Sequence, residues 1–224
     1  MKSLNNWLLV LSVLSCFGCS SPVHEDDRGC AFVSDSIQYR VEFMSAGCVR
    51  ILSFPEGDTL VTKRLVVDSE KPAFKDYKWE DTGQKLLFRT RELSVVFDKA
   101  DAAFIFQETS TGKLLLKEKG DRKARNFKRS VAGGEQCLEV TQCFVPTEDE
   151  AIYGLGQYQN GIMTYRGKSV LLLQANMDIV NPFLISTNGY GVLWDNYSST
   201  KFEDTKEGYS FTSEVGDASD YYFV

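Results

Sequence analysis

Two carboxylates are the residues of this sequence best suited to chemistry, because carboxyl groups can act as acids, bases or nucleophiles. Asp178 and Asp195 both lie in residues 153–197, the stretch richest in glycine, aromatic and aliphatic residues. Asp178 belongs to a polar loop, residues 174–180, which also carries Asn176 and Met177. A polar loop beside aromatic residues on a rigid sheet is where a binding edge is expected. Asp195 follows an apolar strand, and we expect it to cap its own backbone in a turn.

Aromatic and glycine residues surround these carboxylates. Tyr158, Tyr165 and Trp194 could stack on the faces of sugar rings. Trp194 lies in a strongly apolar run and is expected in the core, so Tyr158 is the better ligand candidate. Gly154 and Gly156 are expected to serve turns and close packing. A phosphate-binding role is excluded for them, because no helix start follows.

Composition excludes several classes of site. The sequence has one histidine, His24, in a polar N-terminal segment. The expected folded part therefore cannot hold a Ser-His-Asp triad or a histidine-based zinc site. The net charge of −6 argues against a surface for nucleic acid or anionic lipid. Outside the N-terminal segment, Cys30, Cys48, Cys137 and Cys143 form no CxxC pair, so we expect neither a metal site nor a cofactor.

The remainder of the chain has the pattern of short strands that must position such a site. Residues 36–45 alternate, with Ile37, Tyr39, Val41 and Phe43 on one face, which is typical of a half-buried antiparallel strand. Further strands are predicted at 60–67, 86–97, 103–107, 138–145, 170–173, 183–185 and 192–194. Asn188-Gly189 predicts a hairpin between the last two. Strands and turns at this spacing, with no amphipathic helix, predict an all-β antiparallel sandwich.

A basic segment and four cysteines need separate interpretation. Residues 117–129 carry seven Lys and Arg. Because acidic residues are interspersed, we expect a solvated loop and an edge strand rather than a nucleic-acid site. Cys30, Cys48, Cys137 and Cys143 are expected to be small buried apolar residues. Export would also permit disulfides, although Cys137 and Cys143 cannot pair with each other along one strand without a turn between them.

The N-terminus has the pattern of a targeting segment. One lysine and an apolar run too short to span a bilayer predict a signal peptide over residues 1–16. The sequence VLSC resembles a bacterial lipobox with Cys16 as the lipidated residue, and Cys19 is the alternative; an ordinary secretory signal also fits. Residues 17–34 are predicted to be a polar tether, and residues 35–224 the folded domain. The expected location is a bacterial membrane, facing the periplasm or the cell surface, through a lipid anchor.

Three motifs carry a resemblance to a known family. They are YGLGQ at residues 153–157, NPFLIS at 181–186 and NGYGVLWDN at 188–196. In this order and spacing they resemble the N-terminal domain of glycoside hydrolase family 31, the α-glucosidase and α-xylosidase family. The resemblance implies a galactose-mutarotase-like sandwich. It also implies that the catalytic carboxylates belong to a (β/α)₈ barrel which follows that sandwich and is missing from these residues.

The resemblance also implies a role for the polar loop. The corresponding loop of family members helps to shape the substrate pocket, so Asn176, Met177 and Asp178 are expected to contact a sugar near the scissile bond, with Tyr158 a further candidate. Gln157 in YGLGQ favours the α-xylosidase branch, and the expected partner is an α-linked oligosaccharide, such as one derived from xyloglucan. Two alternatives stay open, which are a free-standing carbohydrate-binding module and an inactive structural fragment.

Overall fold

The alternating segments form strands that pair into two antiparallel sheets packed face to face. The computed structural model describes residues 22–60, 65–67, 73–120 and 125–224. Every regular element in these ranges is a strand, and none of the chain so described forms a helix long and apolar enough to cross a membrane. The predicted signal peptide, both lipidation candidates and residues 61–64 of the predicted strand at 60–67 lie outside the described residues.

The first sheet has eight strands in the order β1-β2-β3-β4-β18-β15-β14-β12. They are β1 (His24–Glu25), β2 (Cys30–Ser34), β3 (Ile37–Phe43), β4 (Val49–Pro55), β12 (Ile152–Gln157), β14 (Ile179–Ser186), β15 (Tyr190–Trp194) and β18 (Ser219–Phe223). Chain order and sheet order differ most at β4, which pairs with the last strand of the chain. The hairpin predicted at Asn188-Gly189 is confirmed, since β14 and β15 pair on either side of it.

The second sheet has ten strands, nine of them in the order β13-β16-β17-β11-β9-β8-β7-β6-β5, with β10 paired to β11. They are β5 (Lys78–Asp81), β6 (Lys85–Arg89), β7 (Leu93–Asp98), β8 (Ala103–Glu108), β9 (Leu114–Glu118), β10 (Arg125–Ala132), β11 (Glu135–Val145), β13 (Ser169–Leu172), β16 (Thr200–Thr205) and β17 (Gly208–Gly216). The single strand predicted at 86–97 is wrong: a turn divides it into β6 and β7. That turn is held by Thr90, whose hydroxyl accepts hydrogen bonds from the backbone N–H groups of Glu92 and Leu93.

Aromatic side chains from both sheets fill the space between them. Phe32 and Tyr39 of the first sheet meet Phe97 of the second, with ring centroids 4.8 Å apart in each pair. Trp194 stacks on Phe211 at 5.4 Å and is fully buried, as predicted. Each fully buried aromatic or aliphatic side chain of this kind stabilises the fold by roughly 1.5–3 kcal/mol.

The sandwich begins earlier in the chain than the sequence predicts. Strands β1 and β2 lie within residues 17–34, where the sequence predicts a tether, and β2 pairs with β3 along its whole length. Cys30 and Phe32 are buried in the core. Asp26 accepts hydrogen bonds from Arg40 of β3. This segment pairs with the sheet because its backbone completes the ladder and its alternate residues fill the core.

Arg125 corrects the prediction of a fully solvated basic segment. Its guanidinium is buried, forms an ion pair with Glu118, and donates hydrogen bonds to Gln142 at 2.8 Å and to the hydroxyl of Tyr39 at 3.0 Å. The rest of β10 matches the predicted edge strand, since β11 is its partner among the described residues. Residues 121–124 lie outside the described residues.

Candidate functional site

The candidate loop, residues 174–180, connects the two sheets. It leaves β13 at one edge of the second sheet and leads into β14 next to one edge of the first sheet. Asn176 and Met177 form a tight turn at its tip, between Ala175 and Asp178, which form a bridge. The backbone N–H of Asp178 donates to the carbonyl of Ala175 at 3.3 Å. The rigid strands on either side therefore fix where this turn is presented.

Gln174 holds the loop together, a role that the sequence pattern does not indicate. Its side-chain amide donates to the carbonyl of Asp178 at 2.8 Å, and its side-chain oxygen accepts from the N–H of Val180 at 3.1 Å. One side chain thus satisfies two backbone groups at the closing end of the loop. A glutamine at the start of a short polar loop is the only trace of this role in the sequence, and that pattern is too common to identify a clamp.

The structure presents the predicted contact residues at the surface. Asn176 is exposed, Met177 is 66% exposed, and Asp178 is half-buried. Met177 has a φ of +70°, a left-handed conformation that costs a residue with a side chain roughly 1–2 kcal/mol. Backbone strain of this kind collects at binding and catalytic positions. The turn therefore presents one apolar side chain beside a carboxylate and an amide.

Tyr158 lies near the loop but uses its hydroxyl within the fold. That hydroxyl donates to the carbonyl of Leu155 at 2.9 Å. Burial raises the pKa of Tyr158 to about 12, with further contributions from Tyr165 and Asp178. The half-buried ring thus has Asp178 in its electrostatic surroundings. Tyr165 is buried against Phe202, which leaves it no face for a sugar.

The two glycines of YGLGQ lie in a strand and not in a turn. Gly154 and Gly156 belong to β12, where the pairing with β14 shifts register between them. Both have positive φ. A Cβ atom at Gly156 would lie 2.0 Å from the carbonyl oxygen of Ile179, at the start of β14. The prediction of close packing is therefore confirmed, and the prediction of turns is wrong.

Asp195 does not cap its own backbone. It is 5% exposed, and the turn is capped by its neighbour Asn196, whose Oδ1 accepts from the N–H of Ser198 at 2.8 Å. Asp195 lines a cavity of about 390 Å³ at the base of the loop, together with Gln174 and Val180. The tip residues of the loop do not line this cavity. In the described ranges no three His, Cys, Asp or Glu side chains are grouped to hold a metal ion.

Comparison with known proteins identifies the domain. Residues 38–203, more than half of the chain, match the model of the glycosyl hydrolase 31 N-terminal galactose mutarotase-like domain. The chain is 32% identical over 204 residues to an α-xylosidase of Saccharolobus solfataricus. This alignment covers 84% of the chain and 26% of the relative, so the chain spans about a quarter of that protein's length.

Solved structures agree with this match. The α-xylosidase of Xanthomonas citri is 29% identical, with a TM-score of 0.69 over 82% of this chain and 20% of its own. An α-xylosidase from a soil metagenome, complexed with xylose, is 22% identical with a TM-score of 0.72 over 91% of this chain and 32% of its own; at that identity it supports the fold alone. The chain belongs to the family of glycosyl hydrolase 31 N-terminal galactose mutarotase-like domains.

Proposed function

We propose that this chain is the N-terminal, non-catalytic part of an exported retaining α-glycosidase that acts on α-xylosides in preference to α-glucosides. The observation that carries the proposal is the 32% identity with an α-xylosidase along 84% of the chain. The two catalytic carboxyl groups of a retaining enzyme lie about 5 Å apart. In this proposal they belong to a barrel outside these residues.

The contribution of this domain is the turn at Asn176 and Met177, together with Asp178. Here Asp178 accepts hydrogen bonds from sugar hydroxyl groups, and Met177 packs against the sugar's apolar face. Gln174 supports this role, because it fixes the loop before any ligand binds, and a fixed loop loses less entropy on binding.

Exposed apolar side chains beside the loop support a partner surface. Leu171, Leu173 and Ile179 are each about half exposed, on the strands or the loop that carry the turn. Apolar residues grouped in this way mark contact surfaces. In the proposed enzyme this face of the sandwich packs on the barrel and holds the turn against the substrate pocket.

The test is hydrolysis by the full-length polypeptide in which these residues occur. We expect a higher kcat/KM for 4-nitrophenyl α-D-xyloside than for the corresponding α-D-glucoside. Asp178→Asn should lower kcat/KM for the xyloside at least tenfold, because a hydrogen bond to a charged group contributes about 1.5–3 kcal/mol. The control Asp149→Asn removes an exposed carboxylate elsewhere and should leave kcat/KM unchanged. Faster glucoside hydrolysis, or a silent Asp178→Asn, would contradict the proposal.

The proposed location at a bacterial membrane is tested separately. If Cys16 is the lipidated residue, Cys16→Ala should abolish incorporation of radiolabelled palmitate and move the protein from the membrane to the soluble fraction, because the acyl chains supply the membrane affinity. Cys19→Ala is the matched control and should change neither; the reverse result would assign Cys19. A wild-type protein without label would refute the lipid anchor.

A further inference from the structure

The cavity at the base of the loop is distinct from the turn that the proposed function uses. Its walls come from residues 172–174, 180–182 and 193–200, with Val66 from a fourth segment. It therefore lies between β13 and β16 of the second sheet and β14 and β15 of the first, and about half of its lining residues belong to these paired strands. Its volume of about 390 Å³ lies near the lower end of the range of ligand pockets, about 300–1,000 Å³, which suits one small ring.

Asp195 is the unusual residue of this cavity. It is 5% exposed, and its Oδ1 has no hydrogen-bond partner in the part of the chain that is described. Its backbone is fixed, since its N–H donates to the carbonyl of Asp220 at 2.9 Å. Burial, followed by a hydrogen bond with Asp195, raises the pKa of Tyr197. A buried carboxylate oxygen without a donor is costly, and such groups in native proteins need an explanation.

The remaining lining residues indicate which donor would satisfy that oxygen. Asn181, Asn196 and Ser199 supply neutral hydrogen-bonding groups, and Leu173 and Pro182 supply apolar surface. Among the described residues no Lys or Arg lines the cavity, which argues against an anionic ligand. One carboxylate is also too few for a calcium site, which takes 6–8 oxygen ligands, several of them from carboxylates. A neutral ligand with several hydroxyl groups and an apolar face fits this wall.

We infer that this cavity is a binding site for a single neutral sugar ring, with Asp195 accepting hydrogen bonds from its hydroxyl groups. The half-exposed ring of Tyr197 lies at the rim, where it can cover the apolar face of the sugar. The choice of a sugar as the ligand rests on the proposed function. The cavity is nevertheless a different site from the turn of the loop, because Asn176, Met177 and Asp178 are not among its lining residues.

The experiment combines crystal soaking with calorimetric titration of the full-length polypeptide, using methyl α-D-xyloside. We expect sugar density in the cavity of the wild type, with its hydroxyl groups within hydrogen-bond distance of Asp195. Asp195→Asn should weaken that binding about tenfold or more, because it removes the charged acceptor. Asp178→Asn should leave the cavity occupied, and Asp149→Asn is the matched control. The melting temperature of Asp195→Asn should not fall, because the substitution removes a buried charge.

Three results would overturn the site. They are an empty cavity in soaked wild-type crystals, a cavity filled by a metal ion, and a cavity filled by side chains from the rest of the polypeptide. The soak uses the wild type, so its result does not depend on the folding of a variant. Hydrolysis of α-xylosides with an unoccupied cavity would refute this site alone. Sugar in the cavity without hydrolysis of any α-glycoside would refute the proposed activity alone.

Discussion

Arg125 and Glu118 form an ion pair at the interior of the sandwich, where the side chain of Glu118 is 1% exposed and that of Arg125 is 8% exposed. Glu118 also accepts hydrogen bonds from the N–H of Phe104 at 2.8 Å and from the hydroxyl of Tyr221 at 2.7 Å. These contacts join β8, β9 and β10 of the second sheet to β18 of the first. The pair is thus part of the connection between the two sheets. Replacing either residue by a neutral one leaves the charge of the other buried without its partner.

Replacing Arg125 by methionine should therefore destabilise the domain strongly. The expected loss is about 3–5 kcal/mol in the free energy of unfolding, the usual cost of breaking a buried pair from one side. Lys128→Met is the matched control on the same strand. Lys128 is exposed and lies 3.6 Å from Glu139, so its loss should cost about 0–1 kcal/mol. Urea unfolding followed by circular dichroism measures both, and similar values for the two variants would refute the argument.

Asp26 should make the stability of the domain depend on pH in acid. Burial opposes ionisation of this carboxyl, but hydrogen bonds from Arg40 and from the N–H groups of Arg28 and Gly29 outweigh it and hold its pKa at about 2. The pKa in the unfolded chain is about 3.9. Because folding lowers the pKa, the stabilisation is complete above about pH 4 and is lost as the pH falls through about 2.

Asp26→Asn should accordingly lower the urea midpoint at pH 7, and the difference from wild type should shrink between pH 4 and pH 2. The effect is modest, because the side chain is 35% exposed. Asp27→Asn, at the exposed neighbouring position, is the control and should give no such trend. A constant difference at pH 7, 4 and 2 would show that the carboxylate charge of Asp26 does not contribute.

At the scale of elements, the pairing of β12 with β14 fixes the closing end of the candidate loop. Gly156 opposes Val180 in this ladder, and its φ of +115° is a conformation reserved for glycine. The missing Cβ makes room for the carbonyl oxygen of Ile179. The register shift beside Gly156 therefore determines where the loop ends and β14 begins.

Gly156→Ala should cost roughly 3 kcal/mol of stability, because backbone strain and a clash with a neighbouring strand act together. Gly161→Ala is a matched control: Gly161 has a φ of +68° and open space where its Cβ would lie. It should cost only the left-handed strain, about 1–2 kcal/mol. Thermal unfolding of both variants measures the difference. Equal losses would mean that the contact with Ile179 relaxes freely.

Gln174 should control the order of the loop without controlling the fold. Gln174→Ala removes both hydrogen bonds that close the loop, so the amide of Val180 should exchange with solvent at least tenfold faster. The loop then pays more entropy on binding, and kcat/KM for an α-xyloside should fall. Gln174→Glu keeps an acceptor for the N–H of Val180 but loses the donor to the carbonyl of Asp178. The exchange rate of the Val180 amide in this variant should therefore lie between those of the wild type and Gln174→Ala. Unchanged exchange in Gln174→Ala would refute the clamp.

Local patterns predict the strands well and their irregularities poorly. The alternation in β3 and the Asn188-Gly189 hairpin follow from side-chain period and turn chemistry. The turn at Thr90 has no Gly or Pro to mark it, so the sequence predicts a single strand where the structure has β6 and β7. Gly154 and Gly156 resemble turn residues in sequence. Their role depends on the carbonyl groups of Phe183 and Ile179 on the neighbouring strand, which no local sequence pattern contains.

At the scale of the whole molecule, the described cysteines are spread over the domain without a covalent link. No disulfide joins Cys30, Cys48, Cys137 and Cys143 to one another, and Cys137 and Cys143 both lie on β11. Of the predicted buried positions, Cys30 alone is fully buried and the other three are half-buried. The domain is therefore held by its core and its ladders.

Reducing agent should consequently leave the melting temperature unchanged. Burial raises the pKa of Cys30 and of Cys48 to about 11, so few of these thiols are ionised at neutral pH and the thiolate is the reactive form. Labelling of Cys30 and Cys48 with a thiol reagent at pH 7.5 should be slow in the native protein and fast in urea. A drop in melting temperature with dithiothreitol would reveal a disulfide and refute this.

In the candidate site, too, some features follow from the local sequence and others only from the folded structure. The composition and motifs of residues 153–197 predict the sheet, the loop and its polar tip. The sequence does not predict the burial of Asp195 or of the pair at Arg125, because charged residues are ordinarily expected at the solvent-exposed surface. Their environment depends on which distant strands cover them. Burial of a charge is a property of the assembled layers and has no local signature.

The pairing of β4 with β18 also constrains how the protein can be made. Arg50 of β4 donates to Asp220 of β18 at 2.7 Å across 170 positions of sequence. At ribosomal rates of about 5–20 residues per second, β4 waits roughly 10–30 s for this neighbour. Until then β4 is the unpaired edge of a sheet. A charged side chain on such an edge, here Arg50, discourages pairing with other chains. The Arg50 guanidinium, which later joins β4 to β18, thus protects the unpaired edge of the nascent chain from pairing with other chains.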